Sequence, residues 1–151
     1  MAGSARIYIT VAALVDTNVL VYRFDPRLPD KQARATELLR RGIAEDSLRL
    51  PHQAIVEFVA ATTRPHKDFG PLLQPEDARR EAEELLDQFE VLYPSDPIVR
   101  LALRGMAAYQ LSWFDAHIWA YAEHHGLEDL LSEDFQHDRK YGTVRTVNPF
   151  V

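Results

Sequence analysis

Short apolar runs alternate along the chain with longer stretches in which apolar residues recur every three or four positions. The first run, Ile7-Tyr8-Ile9-Thr10-Val11-Ala12-Ala13-Leu14-Val15, is rich in β-branched residues and almost unbroken, the pattern of a strand covered on both faces, and it ends at Asp16. Ala35, Leu38, Leu39 and Ile43 recur at helical spacing and predict a helix over 31–44, with Asp30 as its N-cap after Pro29. Leu48-Arg49-Leu50 predicts a second strand, and 53–63 a helix stopped by Pro65. Prolines and a glycine make 65–74 a loop. Helix resumes over 75–88, where Pro75 suits the first position and Glu76 and Asp77 suit the positive end of the dipole. Val91-Leu92-Tyr93 is a third strand, Asp96-Pro97 opens a helix to Tyr109, and Ser112 caps another that ends at Gly126. Leu130-Leu131 closes a fourth strand, and 144–147 forms a fifth.

Strands that alternate with helices specify an α/β fold with a central parallel sheet, here of about five strands flanked by helices, because parallel neighbours need a helical crossover. No repeat, low-complexity tract or second domain interrupts the pattern, so 1–151 is expected to be a single domain, with 1–6 a flexible start and Met1-Ala2-Gly3-Ser4 a frayed or appended beginning. Ligands of such sheets gather beyond the carboxyl ends of the strands. Asp16 and Asp134 fall there. Glu57 and Asp115 lie near the N-terminal ends of helices, which face the same edge.

These four acids stand in or beside apolar stretches. Asp16 interrupts Ala13-Leu14-Val15 and Val19-Leu20-Val21, and Glu57 is the one polar residue in Ala54-Ile55-Val56-Glu57-Phe58-Val59-Ala60-Ala61. Asp115 follows Trp113-Phe114, and Asp134 follows Leu130-Leu131-Ser132-Glu133. Buried acids are paired or bind a cation, and no Lys or Arg recurs beside these. Two unit charges about 4 Å apart repel by roughly 4 kcal/mol at an effective dielectric of about 20, against a domain stability of about 5–15 kcal/mol. Either some acids protonate or a cation neutralises them. All-oxygen ligands select hard ions, Mg²⁺ or Mn²⁺, one or two of which would activate water and hold a phosphodiester. Each acid also has an ordinary reading: Asp16 ends a strand and caps a helix, Glu57 sits at a wet helix border, Asp115 completes a capping box with Ser112, and Asp134 is a turn acid.

Composition narrows the options. With 46% hydrophobic and 26% charged residues the chain is of the globular kind, neither disordered nor fibrous, and at 151 residues it can be stable without staples. It has no cysteine, which removes disulfides, thiolate metal sites and cysteine nucleophiles and fits a reducing, cytoplasmic setting. The first apolar run is too short to span a bilayer and lacks a signal-peptide pattern, so no membrane partner is expected. A formal net charge of −6 argues against broad nonspecific nucleic-acid binding. An acidic nuclease is still possible if Arg and Lys line its rim; Arg64-Pro65-His66-Lys67 and His137-Asp138-Arg139-Lys140 are the clustered candidates, with plain solvated surface as the competing reading.

The ordered series Val15-Asp16-Thr17-Asn18-Val19-Leu20, Glu57-Phe58, Ser112-Trp113-Phe114-Asp115-Ala116, Leu131-Ser132-Glu133-Asp134-Phe135-Gln136-His137 and Val147-Asn148-Pro149-Phe150 resembles the PIN-domain ribonucleases of the VapC toxin type. The resemblance runs from about Ala13 to the end of the chain. It implies a three-layer PIN-like fold and a Mg²⁺- or Mn²⁺-dependent endoribonuclease, commonly dimeric and held inactive by a cognate antitoxin. By motif match Asp16, Glu57, Asp115 and Asp134 take the places of the family's catalytic and metal-binding acids. Thr17, Asn18 and Ser132 would orient those carboxylates or order a metal-bound water, and Glu133 is an adjacent acid. The N-terminal lead of about a dozen residues departs from the family.

Histidines do not enter this reading: a metal-bound water needs none, and none of the six has acid-partner spacing. Three rivals remain. A haloacid-dehalogenase-like phosphatase would need a second Asp where Asn18 stands. A receiver-type signalling domain would want an early acidic pair and a late Lys, and neither is present. A catalytically idle PIN-like module would have no reason to keep four mutually repelling acids.

Overall fold

The computed structural model describes residues 12–151, so the part of the first strand placed over 7–11 and the flexible start lie outside the described residues. Strands are β1 (Ala13–Val15), β2 (Leu48–Pro51), β3 (Glu90–Leu92), β4 (Asp129–Leu131), β5 (Arg139–Tyr141) and β6 (Val144–Val147). Helices are α1 (Thr17–Tyr22), α2 (Pro29–Glu45), α3 (His52–Thr63), α4 (Pro75–Gln88), α5 (Asp96–Tyr109) and α6 (Trp113–His124). They form one sheet in the order β3-β2-β1-β4-β6-β5. The expected parallel five are all there: β3, β2, β1, β4 and β6 pair in parallel. The sixth, β5, joins the edge antiparallel to β6 through a tight hairpin, with Tyr141 opposite Val144 and Gly142 at φ 64°. The result is a three-layer α/β fold.

Alternation along the short strands divides the core. Leu14 and Leu130 are fully buried on the face that packs against Ile98 and Ala102 of α5 and Ala116, Trp119 and Ala120 of α6. Val15 points the other way, with Leu48 and Leu50, against Val19 and Leu20 of α1, Leu39 of α2 and Phe58 of α3. A side chain at Gly105 would bring its Cβ within 2.5 Å of the Trp119 ring, so α5 and α6 can approach this closely only because the position is bare.

Two local details depart from the sequence reading, and a third follows the ordinary reading of Asp16 as a helix cap. Pro29 begins α2 and Asp30 lies in its first turn; Leu28 holds the cap position without a side-chain bond, because the proline's missing N–H suits the first helical position. The segment after Asp16 turns at once into α1, since the Asp16 carboxylate accepts from the Thr17 N–H and starts a helix where the β-branched run would otherwise extend the strand. The third strand ends at Leu92, leaving Tyr93 outside it with its ring exposed.

Candidate active site

The register of β1 and β4 brings the first and last acids to one edge. Asp16 N donates to Leu131 O at 3.0 Å, and Ser132 N to Val147 O at 3.0 Å, so Asp16 and Ser132 leave the carboxyl ends of neighbouring strands side by side. Glu57 is on α3, which starts directly from β2, and Asp115 is in the first turn of α6, capped by Ser112, whose hydroxyl accepts from Asp115 N at 3.1 Å.

Neutral hydrogen bonds link the neighbourhoods of all four acids. Ser132 Oγ donates to Asp16 Oδ2 at 2.7 Å and accepts from Asn18 Nδ2 at 3.2 Å and from Asp134 N at 3.0 Å. Asn18 Nδ2 also donates to Asp134 Oδ2 at 3.1 Å. On the other side, Thr17 N donates to Asp16 Oδ1 at 2.7 Å and Thr17 Oγ1 to Glu57 Oε1 at 2.8 Å. Gln53 Nε2 then donates to Glu57 Oε2 at 2.8 Å and to Phe114 O at 3.2 Å, next to Asp115. Thr17, Asn18 and Ser132 therefore touch the acids they were expected to support. Gln53 was missed; its signal was the i, i+4 spacing to Glu57 on one helix face.

Electrostatically the cluster is strained. Asp16 is only 4% exposed, and burial pushes its carboxyl up from 3.8 to about 7, against the pull of the Ser132 and Thr17 hydrogen bonds and with help from the charges of Asp134 and Asp115. Asp115 is also raised, first by burial and then by the charges of Asp134 and Glu57, with the Ser112 hydroxyl pulling it down. The acids feel one another, yet among the described residues no group of three or more His, Asp or Glu is already drawn together as a metal site. The donor set itself fits a hard dication: four carboxylates, oxygen throughout, with neutral donors and no Lys or Arg bonded to any of the four among the described residues.

Glu133 is different. Its Oε1 accepts from the Tyr22 hydroxyl and its Oε2 faces Lys31 Nζ at 2.8 Å, so both oxygens are engaged away from the four acids. Lys31 also lies over the Tyr22 ring, 4.7 Å from its centroid. Of the two basic runs, Arg139 stacks over Tyr141 at 4.5 Å and Lys140 belongs to the exposed edge strand. A cavity of about 720 Å³ lies between α2 and the C-terminal Pro149-Phe150 and is lined by Lys31, Arg34 and Leu38; none of the four acids borders it.

Solved structures with the same fold include a chain of a toxin–antitoxin complex from Klebsiella pneumoniae, 21% identical, TM-score 0.62, covering 91% of this chain and 98% of that one. A chain of DNA-bound VapBC from Salmonella typhimurium is 14% identical, TM-score 0.66, covering 90% and 96%. One of VapBC2 from Rickettsia felis, bound to a promoter DNA fragment, is 12% identical, TM-score 0.65, covering 89% and 96%. No curated protein matches the chain. The family model described as PIN domain matches residues 13–142, a span that begins with β1, takes in all four acids and ends in the β5–β6 turn, and on that match the chain belongs to the PIN domain family.

Proposed function

We propose that this protein is a metal-dependent endoribonuclease, the toxin of a toxin–antitoxin pair, with Asp16, Glu57, Asp115 and Asp134 as its catalytic and metal-binding residues. The observation that carries the reading is Asp16: a carboxyl buried at a strand end, pushed to about 7 by its surroundings, yet held by two donors that favour its ionised form. Burial penalises the anion and a bound cation would favour it, and among the described residues no Lys or Arg is bonded to this carboxylate. One or two Mg²⁺ or Mn²⁺ ions would be held by the four carboxylates, and when bound would supply the nucleophilic water and neutralise charge on the phosphodiester. Ser132, Asn18 and Thr17 orient those carboxylates; Gln53 fixes Glu57 against the start of α6.

A protein antitoxin is the proposed partner, supported by the toxin–antitoxin assemblies among the structural neighbours. A homodimer and a cytoplasmic location complete the proposal. Among the described residues no helix is long and apolar enough to cross a membrane.

The test is cleavage of total tRNA, rRNA and mRNA with Mg²⁺, Mn²⁺ or EDTA, with Asp16→Asn alongside. Cleavage that needs metal and vanishes in the variant is expected. Cleavage by the folded variant at the parental rate would remove Asp16 from the chemistry, and no cleavage by the parent in any metal would favour the idle binding module.

A further inference from the structure

We infer that Trp113, Phe114 and Tyr93 form a stacking platform for unpaired bases of single-stranded RNA beside the acid cluster, an inference that rests on the ribonuclease reading. Phe114 is 65% exposed, Tyr93 57% and Trp113 37%, although burying such large apolar rings would stabilise the fold. Trp113 and Phe114 are the first two residues of α6, immediately before Asp115. Tyr93 follows the last residue of β3 and rests its ring against His52, the first residue of α3, with centroids 5.3 Å apart and an interplanar angle of 33°. All three leave from the carboxyl edge of the sheet, where the acids are.

The backbone of Trp113 and Phe114 is held. Gln53 Nε2 donates at once to Glu57 Oε2 and to Phe114 O, which locks the aromatic turn to one of the acids. His117 Nδ1 donates to Trp113 O at 2.8 Å and its ring packs edge-on to the indole, with centroids 4.0 Å apart. The rings are thus presented from a fixed frame, and little ordering entropy remains to be lost when a base settles on them.

Charge selects the occupant. The chain is formally −6, its acids face the scissile phosphate, and Lys31 is engaged by Glu133, so a polyanion gains little Coulombic attraction here. Base–aromatic stacking supplies affinity independent of charge and open to any base, but only where the base is unpaired.

The experiment measures steady-state cleavage of an unstructured single-stranded decaribonucleotide by Phe114→Ala, Tyr93→Ala and Phe114→Tyr in Mg²⁺, with sedimentation of each variant. Loss of one stack predicts a KM rise of about 5- to 150-fold, with kcat falling far less, and recovery in Phe114→Tyr. Trp113 emission in the Asp16→Asn protein should be quenched by the same decaribonucleotide and left unchanged by its duplex or by an abasic strand; Trp119, only 3% exposed, stays silent. Parental KM in both alanine variants would overturn the platform while leaving the ribonuclease reading intact. Dissociation of a dimer at unchanged KM per site would also overturn it, and would assign the face to a second copy of the chain. If the folded parent cuts no single-stranded RNA, the ribonuclease reading fails and the platform with it.

Discussion

Replacing Asp16 with asparagine should stabilise the metal-free protein at pH 8, by about 2.7 kcal/mol more than at pH 5. In the folded chain the carboxyl titrates at about 7, against 3.8 for the same group in water. Between those values the native state keeps a proton that the unfolded chain has released, so raising the pH through this window favours unfolding. The contribution is fully present below 3.8 and gone above about 7. Three pKa units correspond to about 4 kcal/mol, which asparagine, neutral throughout, does not lose. Against that gain stands the Ser132 hydroxyl. It donates to Asp16 Oδ2 while its lone pairs are taken by Asn18 Nδ2 and Asp134 N, so an amide group at Oδ2 meets an oxygen with no capacity left to accept. That mismatch costs about 1–3 kcal/mol. The net expectation at pH 8 is a gain of about 1–3 kcal/mol, worth about 2–12 °C in Tm for a chain of this size. At pH 5 the folded carboxyl still holds its proton while the unfolded one has lost it, so about 1.6 of the roughly 4 kcal/mol is already gone, the mismatch offsets it, and the variant should lie within about 1.5 kcal/mol of the parent. Urea melts of both proteins in EDTA at pH 5 and pH 8, followed by tryptophan emission, measure the difference. An Asn-minus-Asp stability difference that is the same at both pH values would refute the claim that burial dominates at Asp16.

Further perturbations test neighbouring steps. Mg²⁺ at about one hundred times its Kd should stabilise the parent at pH 8 by about 2.7 kcal/mol and Asp16→Asn by much less, reversing their order in a thermal melt; equal shifts would place the ion elsewhere. Ser132→Ala leaves Asn18 and the Asp134 N–H without their shared acceptor and should cost about 1–3 kcal/mol in urea, with cleavage falling more than the stability loss explains at a temperature where both proteins are folded. Gly105→Ala would put a Cβ 2.5 Å from the Trp119 ring, so despite a helix-propensity gain of about 1 kcal/mol it should lower stability by about 1–3 kcal/mol and perturb the Trp119 emission; an unchanged Tm would mean that α5 and α6 have slack between them. Lys31→Met removes a partly exposed ion pair with Glu133 and should change stability by no more than about 1 kcal/mol in 0.15 M salt.

Elements with strong periodicity or explicit end signals were legible in the sequence: α4 between Pro75 and Gln88 and α5 from Asp96 to Tyr109 lie where the pattern put them. The hairpin was not. Arg139-Lys140-Tyr141 is an edge strand whose first two side chains face solvent, and such strands carry charge that erases the apolar signal; the two-residue Gly142-Thr143 link before Val144 was the available clue. At the site, Thr17, Asn18 and Ser132 could be read because they adjoin acids in sequence. Gln53 could have been read toward Glu57 from its i, i+4 spacing, but its second bond, to Phe114 O, and the roles of Lys31 and Tyr22 depend on how helices pack at the sheet edge, and local pattern does not encode that angle.

What packing adds is a division among the acids that sequence adjacency conceals. Glu133 and Asp134 are neighbours in the chain, yet Glu133 receives Lys31 and the Tyr22 hydroxyl while the bond to Asp134 Oδ2 comes from the neutral amide of Asn18. Among the described residues Asp16 and Glu57 likewise receive only hydroxyl, amide and backbone donors. A cationic side chain was within a few residues' reach and was spent on the acid outside the cluster. Neutral donors fix the direction of a carboxylate without cancelling its charge, so the cluster keeps its negative potential and its geometry together. An internal ammonium would relieve the repulsion and at the same time compete with a dication for the same oxygens. On the proposed reading, Asp16 at about 7 is the thermodynamic counterpart of a site for a cation from solution, and a bound dication would recover the free energy that burial of the carboxylate costs.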